Sequence, residues 1–284
     1  MNIFQRHWHA STRFNPAKPD AAMTVGPGQQ PQVELIAETI YGDTDCEVGA
    51  RLRLDPNSFV IKEATWETYS LPVTITDLPG LRGEVAYFNI GPALNEALAD
   101  LDTVARTAFS ETIGCIILSE PFLVKERGFS SYAAYREYWD VIYLNACLYY
   151  SSLETASELW DYSAYTRTNV LFNRFASQFV YALPGGGLRA TGAYRDTFHE
   201  INVEFETAGN LTITRADGVL LRTPHAICPA ATGYLPNLVG YDATNPVKKQ
   251  LAQVLGKGDG CVHLIDTVYD TLTAANMAAE RLGG

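Results

Sequence analysis

The chain has 284 residues, of which 47% are hydrophobic and 19% charged, so its composition is that of a globular protein with one large domain or two smaller ones. Its net charge of −11 disfavours binding to nucleic acid or to an anionic membrane surface, since both need clustered Lys and Arg. No uninterrupted apolar run approaches a membrane span. The five cysteines, an odd count, are expected as reduced thiols in a cytoplasmic protein.

The first half of the chain is predicted to form a β-meander followed by helices. Residues 1–30 are expected to be an N-terminal arm that ends in a Pro/Gly/Gln-rich loop. Stretches rich in β-branched and aromatic residues predict strands over residues 33–40, 46–54 and 59–69. Gly91-Pro92 then opens a short helix, and a second helical pattern follows over residues 102–118. We therefore assign a first, degenerate repeat to residues 31–121.

The same plan recurs in a second repeat over residues 186–284. The landmarks that recur in order are Tyr41-Gly-Asp43 and Tyr194-Arg-Asp196, Leu78-Pro79 and Leu235-Pro236, Gly91-Pro92 and Asn245-Pro246, and Gly114-Cys115 and Gly260-Cys261. A duplication predicts an α+β fold in which two units of antiparallel β-meander plus helices pack about a pseudo-two-fold axis.

An aromatic-rich helical insert and a linker are predicted between the repeats, over residues 122–185. Tyrosine combines an apolar ring with a polar tip, so a cluster of tyrosines suits a pocket for an aromatic or phenolic ligand. The side chains expected to bind such a ligand are Tyr135, Tyr138, Trp139, Tyr194 and Arg195. The alternative is that these rings pack between the repeats or between subunits.

A glycine-rich turn over residues 256–260 runs into an amphipathic helix, and Cys261 and His263 lie where the turn becomes the helix. The free N–H groups of a helix start stabilise a thiolate or a bound anion. In the first repeat, Ile117 stands where the second has His263. This asymmetry indicates that the functional site belongs to the second repeat.

Three kinds of chemistry fit the second repeat. A zinc site would use the two nitrogen and two sulfur ligands of His225, Cys228, Cys261 and His263. A nucleophilic Cys261 would have a pKa depressed by the helix start. General acid–base catalysis without a cofactor would use His263 with Asp266, which is three residues away on the same helix face and would fix the histidine tautomer. Asp196 and His199 are further acid–base candidates.

The segments Arg195-Asp196, Cys228 with Leu238-Val-Gly240, and Gly260-Cys261-Val262-His263-Leu264 follow one another in this order. Over about residues 186–280 this order resembles a bacterial family of proteins of unknown function, whose members carry Arg-x-Asp, then Cys, Leu-x-Gly and Gly-Cys-Thr-His-Leu. Here Arg195 and Asp196 are adjacent, and Val262 replaces the threonine. The resemblance implies a link with the breakdown of phenylpropanoid and other aromatic compounds, and it carries no mechanism.

We therefore expect a cytoplasmic α+β enzyme, a lyase or hydrolase that acts on a small aromatic compound by acid–base catalysis without a cofactor. His263 is expected as the base or acid and Asp266 as its orienting group. A non-catalytic protein that binds a small molecule or a partner is the first alternative, and a hydrolase with a single zinc ion is the second. A homodimer is expected from base rates alone.

Overall fold

The computed structural model describes residues 2–15, 33–154, 167 and 170–283, which contain nine strands and five α-helices. The strands are β1 (Asn2–Asn15), β2 (Glu34–Asp43), β3 (Glu47–Leu54), β4 (Ile61–Thr68), β5 (Thr74–Asp77), β6 (Val170–Ala182), β7 (Leu188–Asp196), β8 (Glu200–Thr207) and β9 (Ile213–Arg222). The α-helices are α1 (Gly91–Ala97), α2 (Thr103–Ser119), α3 (Tyr132–Ile142), α4 (Lys248–Val254) and α5 (Val262–Gly283). The loop of the predicted arm, and residues 155–166 of the predicted insert, lie outside the described residues.

All nine strands form one antiparallel sheet in the order β5-β4-β3-β2-β1-β6-β7-β8-β9. The predicted α+β class and the aromatic-rich helical region in the middle of the chain are both confirmed. Helices α2 and α5 pack on the sheet, α2 on β1, β2, β3 and β6, and α5 on β1, β6, β7 and β8. None of the described helices is long and apolar enough to cross a membrane.

The central strand β1 lies in the segment for which the sequence predicted an arm. Its buried side chains are Phe4, Arg6, Trp8 and Ala10, and they alternate with exposed Gln5, His7 and His9. Arg6, a charged residue on the buried face, interrupts what would otherwise be an obvious alternation of apolar and polar residues, which hid the strand. Strand β6 likewise lies before residue 186, in the segment predicted to be a helical insert and linker. With β1 and β5, the first half has five strands where three were predicted.

The two halves are related by a pseudo-two-fold axis at the centre of the sheet, where Trp8 of β1 pairs with Ala176 of β6. Arg6 lies opposite Asp43 in the pairing of β1 with β2, and Arg174 lies opposite Asp196 in the pairing of β6 with β7. The axis therefore relates Arg6 to Arg174, and Asp43 to Asp196.

Each of these arginines forms a buried ion pair with the long helix of the other half. Arg6 of β1 lies 3.2 Å from Asp270 of α5, and Arg174 of β6 lies 3.2 Å from Glu111 of α2. The axis relates one ion pair to the other, so Glu111 of α2 corresponds to Asp270 of α5. The predicted duplication is thus present as a repeat of strands, helices and ion pairs.

This correspondence changes one of the predicted matches. Cys115 lies in the interior of α2, whereas Cys261 lies just before α5. Glu111 of α2 corresponds to Asp270 of α5. The residue nine positions before each is Asp102, the N-cap of α2, and Cys261, so these two residues correspond. His263 then corresponds to Val104 rather than to Ile117. The asymmetry itself remains, because the first half has no histidine at this position.

Candidate active site

A cavity of about 280 Å³ is lined by both the insert and the second half of the chain. This volume is close to the lower end of the range for small-molecule pockets, about 300–1,000 Å³, and suits a compound with one aromatic ring. The insert contributes Tyr132, Tyr135, Trp139, Tyr143, Tyr149 and Tyr150. The second half contributes Arg174, Phe198, His199, Cys228, Cys261, His263 and Asp266. Aromatic side chains and both histidines therefore meet at one space.

The aromatic wall follows from the spacing of residues on α3. Tyr135, Trp139 and Tyr143 are four residues apart, so they form one stripe along the helix. Their ring centroids are 5.7 Å apart for Tyr135 and Trp139, and 4.5 Å apart for Trp139 and Tyr143. Tyr138 lies off this stripe, is 37% exposed and contacts Phe129. Of the three insert residues expected to bind the ligand, the structure places Tyr135 and Trp139 at the cavity and Tyr138 outside it.

Asp196 organises the tight turn that joins β7 to β8. Its Oδ1 accepts hydrogen bonds from the backbone N–H groups of Phe198 and His199, each at 2.6 Å. Its Oδ2 accepts a hydrogen bond from the hydroxyl of Tyr194 at 2.7 Å. Aspartate is typical of such turns because its carboxylate can bond the backbone two or three residues on. The carboxylate is buried, and both of its oxygens accept hydrogen bonds.

The turn brings His199 against Asp196 and beneath His263. Nδ1 of His199 lies 3.2 Å and 3.3 Å from the two carboxylate oxygens of Asp196, which favours a proton on Nδ1 and leaves Nε2 as an acceptor. The rings of His199 and His263 stack with centroids 3.9 Å apart and planes 28° apart. Nε2 of His263 lies 3.9 Å from Oδ2 of Asp196. The three residues form one cluster, hereafter the Asp–His–His cluster.

Burial and mutual charge set the protonation of this cluster. Burial alone would raise the pKa of Asp196, but the hydrogen bond from His199 and the positive charge of the histidines hold its pKa well below the usual range. Burial lowers the pKa of His263 well below 6.5, and charge on His199 lowers it further. At neutral pH the cluster therefore holds an ionised Asp196 and a neutral His263.

The first half contains the same turn without the histidines. Asp43 Oδ1 accepts hydrogen bonds from the N–H groups of Asp45 at 2.7 Å and Cys46 at 2.9 Å, and its Oδ2 accepts one from the Tyr41 hydroxyl at 3.2 Å. Cys46 stands where the second half has His199. Only the second half therefore provides two imidazoles beside the buried carboxylate.

The structure separates two of the other predicted residues from the cluster. Asp266 lines the cavity, but its carboxylate lies 2.7 Å from Nζ of Lys248 on α4. The carboxylate beside His263 is thus Asp196 rather than Asp266. Arg195 is exposed and pairs with Glu200 at 2.7 Å, because alternation along β7 turns it away from the face that carries Tyr194 and Asp196.

Cys261 lies at the cavity wall with a thiol that is not activated. The N–H groups of His263 and Leu264 do favour the thiolate, but burial outweighs them and raises the pKa of Cys261 to about 12. The prediction of a depressed pKa failed because the helix start is closed off from water.

We expect all five thiols to react slowly in the folded protein. Burial raises the pKa of Cys261, and it also raises the pKa of Cys46, Cys115, Cys147 and Cys228. Iodoacetamide at pH 7.5 should label the native protein more slowly than it labels free cysteine, and unfolding in urea should release all five thiols. Mass spectrometry of labelled peptides measures this. Rapid labelling of Cys261 before the other thiols would contradict the expectation.

The four ligands proposed for zinc are not brought together. Within the described ranges, the His, Cys, Asp and Glu ligand atoms that converge in a group of three are those of Asp196, His199 and His263, all within 4.8 Å of one another. His225 instead accepts a hydrogen bond through Nδ1 from the N–H of Ile227 at 3.2 Å and packs near Tyr149. If a metal binds at this cavity, the residues placed to hold it are the Asp–His–His cluster.

The segment that carries the cluster is similar to a known family. Residues 188–277 match a family described as a protein of unknown function (DUF2889). The match confirms the resemblance found in the sequence, and it spans β7 to most of α5. No curated protein and no solved structure matches the chain. The matched segment contains Asp196, His199 and His263, whereas the aromatic insert and Arg174 lie outside it.

Sequence reasoning missed Arg174, a buried guanidinium that lines the cavity. Its strand lies in the segment assigned to the insert and linker, where arginine was not considered as a core residue. A signal was present in the sequence. Each half has an arginine on the strand before its Tyr-x-Asp segment, Arg6 before Asp43 and Arg174 before Asp196. Starting the repeats one strand earlier would have revealed it.

Proposed function

We propose that the protein is an enzyme that moves protons to and from a small aromatic compound, as a lyase or hydrolase that needs no cofactor. The observation that carries this proposal is the Asp–His–His cluster beside an aromatic-walled cavity. A neutral imidazole next to an ionised carboxylate is the usual arrangement for a general base. The match to a family of unknown function supplies no reaction, so the chemistry is argued from these residues alone.

His263 acts as the base in this proposal. Its lowered pKa keeps it neutral at pH 7, and Asp196 at 3.9 Å stabilises the imidazolium that forms when it takes a proton. Positive charge on the stacked ring of His199 further disfavours the charged form of His263. The imidazolium can then return the proton to a leaving group, which lyase and hydrolase steps both require.

The second candidate is a hydrolase with a single metal ion, now at a different set of residues. Two imidazoles and one carboxylate within 4.8 Å of one another are a ligand set that zinc accepts. Metal binding would require His199 to give up its hydrogen bond with Asp196 or to bind through its other nitrogen. A binding protein without catalysis is the third candidate, since the cavity alone would serve it.

One experiment separates the three. Untagged protein is analysed for metal, then screened with small aromatic acids, esters, amides and alcohols, first by ligand-induced shifts of the melting temperature and then by chromatography for turnover. We expect turnover that survives extensive chelation. Turnover lost on chelation and restored by zinc would identify the metal enzyme, and melting shifts without turnover would identify a binding protein.

The pH dependence gives a further check on the base. A base must be neutral to act, so kcat/KM should fall only as the pH drops through the pKa of His263, which lies well below 6.5. We therefore expect a rate that is constant between pH 6.5 and 7.5 and that declines in more acidic buffer. A decline that begins above pH 7 would argue against His263 as the base.

The cellular setting and the assembly also stay predictions. A cytoplasmic location is supported by five cysteines that are all free thiols. A homodimer is supported only by the frequency of two-fold assemblies among proteins.

A further inference from the structure

We propose that Arg174 binds the carboxylate of an aromatic acid in the cavity, which makes aromatic carboxylates the substrate class of this site. The inference rests on the proposed function for the location of the chemistry, but it concerns binding and can be tested without turnover. It is carried by the unequal bonding of the two arginines that the pseudo-two-fold axis relates.

Arg174 is buried, 8% exposed, and yet incompletely bonded. Its Nη2 lies 3.2 Å from Oε2 of Glu111, while its Nε has no hydrogen-bond partner among the residues described. A buried donor without a partner is costly, and native proteins rarely leave one unused. Nε itself is enclosed, but Nη1 lies beside Gly114 at the cavity wall and makes no hydrogen bond with the described residues. A bound ligand can therefore supply an acceptor to Nη1.

Arg6, the counterpart of Arg174, is more completely bonded. Its Nε donates to Oε1 of Gln178 at 2.8 Å, and its Nη2 donates to the carbonyl oxygen of Asp270 at 2.7 Å in addition to the ion pair with that residue. Gln178 lies opposite Arg6 across the pairing of β1 with β6, and the residue opposite Arg174 in the same ladder is Ala10. The arginine beside the histidines therefore has an alanine opposite it, where Arg6 has an amide.

Space for the guanidinium is provided by a glycine. Gly114 lies in the interior of α2, where glycine is less favourable than alanine. A Cβ at this position would overlap Nη1 of Arg174, and Gly114 itself lines the cavity. The absence of a side chain thus leaves room for the guanidinium at the cavity wall.

A carboxylate is the anion that these contacts favour. The planar guanidinium presents its N–H groups in a fork that matches a carboxylate, and a buried anion needs such a partner. The insert supplies the rings that would flank an aromatic group. Tyr135, which is 2% exposed, is one of these rings at the cavity wall. Arg174, His199 and His263 line the same cavity, so a ligand held by the guanidinium shares that cavity with both histidines.

The test compares each acid with its own neutral amide. Binding of benzoate, 3-phenylpropanoate and 4-hydroxycinnamate, and of their three primary amides, is measured by isothermal titration calorimetry at pH 7.5. Charge-assisted hydrogen bonds predict that at least one acid binds about 10- to 100-fold more tightly than its amide. Equal binding of acids and amides, or no binding of any of the six compounds, overturns the proposal.

Three variants locate the preference. R174Q should abolish the preference for the acid, and E111Q should strengthen acid binding, because the guanidinium then has no competing carboxylate. R6Q is the matched control, since it breaks the equivalent ion pair away from the cavity and should leave the preference unchanged. A gain of affinity in E111Q cannot come from a damaged fold, so this variant remains decisive if R174Q folds poorly. An unchanged preference in R174Q, or no gain in E111Q, overturns the proposal.

These outcomes are separable from the proposed function. Acid-selective binding without any turnover would leave this inference standing and remove the enzyme. Turnover of neutral aromatic compounds, without a preference for acids, would do the reverse.

Discussion

H263Q is expected to lower kcat on any compound that the protein turns over by about 100- to 10,000-fold, the usual contribution of a general base. Glutamine can fill much of the same space and donate hydrogen bonds, but it cannot take up a proton at neutral pH. The ring of His199 and the carboxylate of Asp196 would stay in place, because both are held by the turn between β7 and β8. Steady-state kinetics with the best substrate from the screen measures the effect.

The matched control is H225Q. His225 stands close to Tyr149, yet it lies outside both the Asp–His–His cluster and the cavity wall. We expect this variant to keep kcat within a few-fold of the wild-type value. The ligand-induced melting shift should survive in both variants, which separates loss of chemistry from loss of binding. Full activity of H263Q in a folded protein would remove His263 from the mechanism.

Replacement of Trp8 by alanine is expected to destabilise the protein by about 3–5 kcal/mol, the usual cost of removing a large buried aromatic side chain. Trp8 is 3% exposed and lies at the pseudo-two-fold axis, opposite Ala176. Its ring contacts Tyr194 edge to face at 6.2 Å, and the guanidinium of Arg174 lies 5.2 Å from its centroid. Urea unfolding followed by circular dichroism measures the loss.

Two variants on the same strand serve as controls for W8A. W8F retains most of the buried apolar surface, so it should cost much less than W8A. H9A changes an exposed side chain on the opposite face of β1 and should alter the free energy of unfolding by no more than about 0.5 kcal/mol. A loss below 1 kcal/mol in W8A would show that the centre of the sheet is packed differently.

Much of the fold could be predicted because local signals agreed with the final structure. The strands predicted over residues 46–54 and 59–69 are close to β3 and β4, and the helix predicted over residues 102–118 is close to α2. Strand β1 could not be recognised, because a buried arginine interrupts its apolar face. Its burial depends on Asp270, which lies 264 residues further along the chain.

The site was predictable in its residues and less so in their arrangement. His263 was recognised because it stands at a helix start in one half only, but its carboxylate neighbour was misassigned to Asp266. Helical spacing made that choice reasonable, and it failed because Lys248 on another helix takes up the carboxylate. Strand alternation alone would place Asp196 and His199 on opposite faces of a sheet. The chain turns between them, so alternation does not apply.

The two ion pairs that join each half to the helix of the other half affect how the protein unfolds. Arg6 pairs with Asp270 on the helix of the second half, and Arg174 pairs with Glu111 on the helix of the first. Pulling the halves apart between β1 and β6 would break both ion pairs at once and expose the apolar core around Trp8 to water, which is strongly unfavourable. We therefore expect the two halves to unfold together as one cooperative unit.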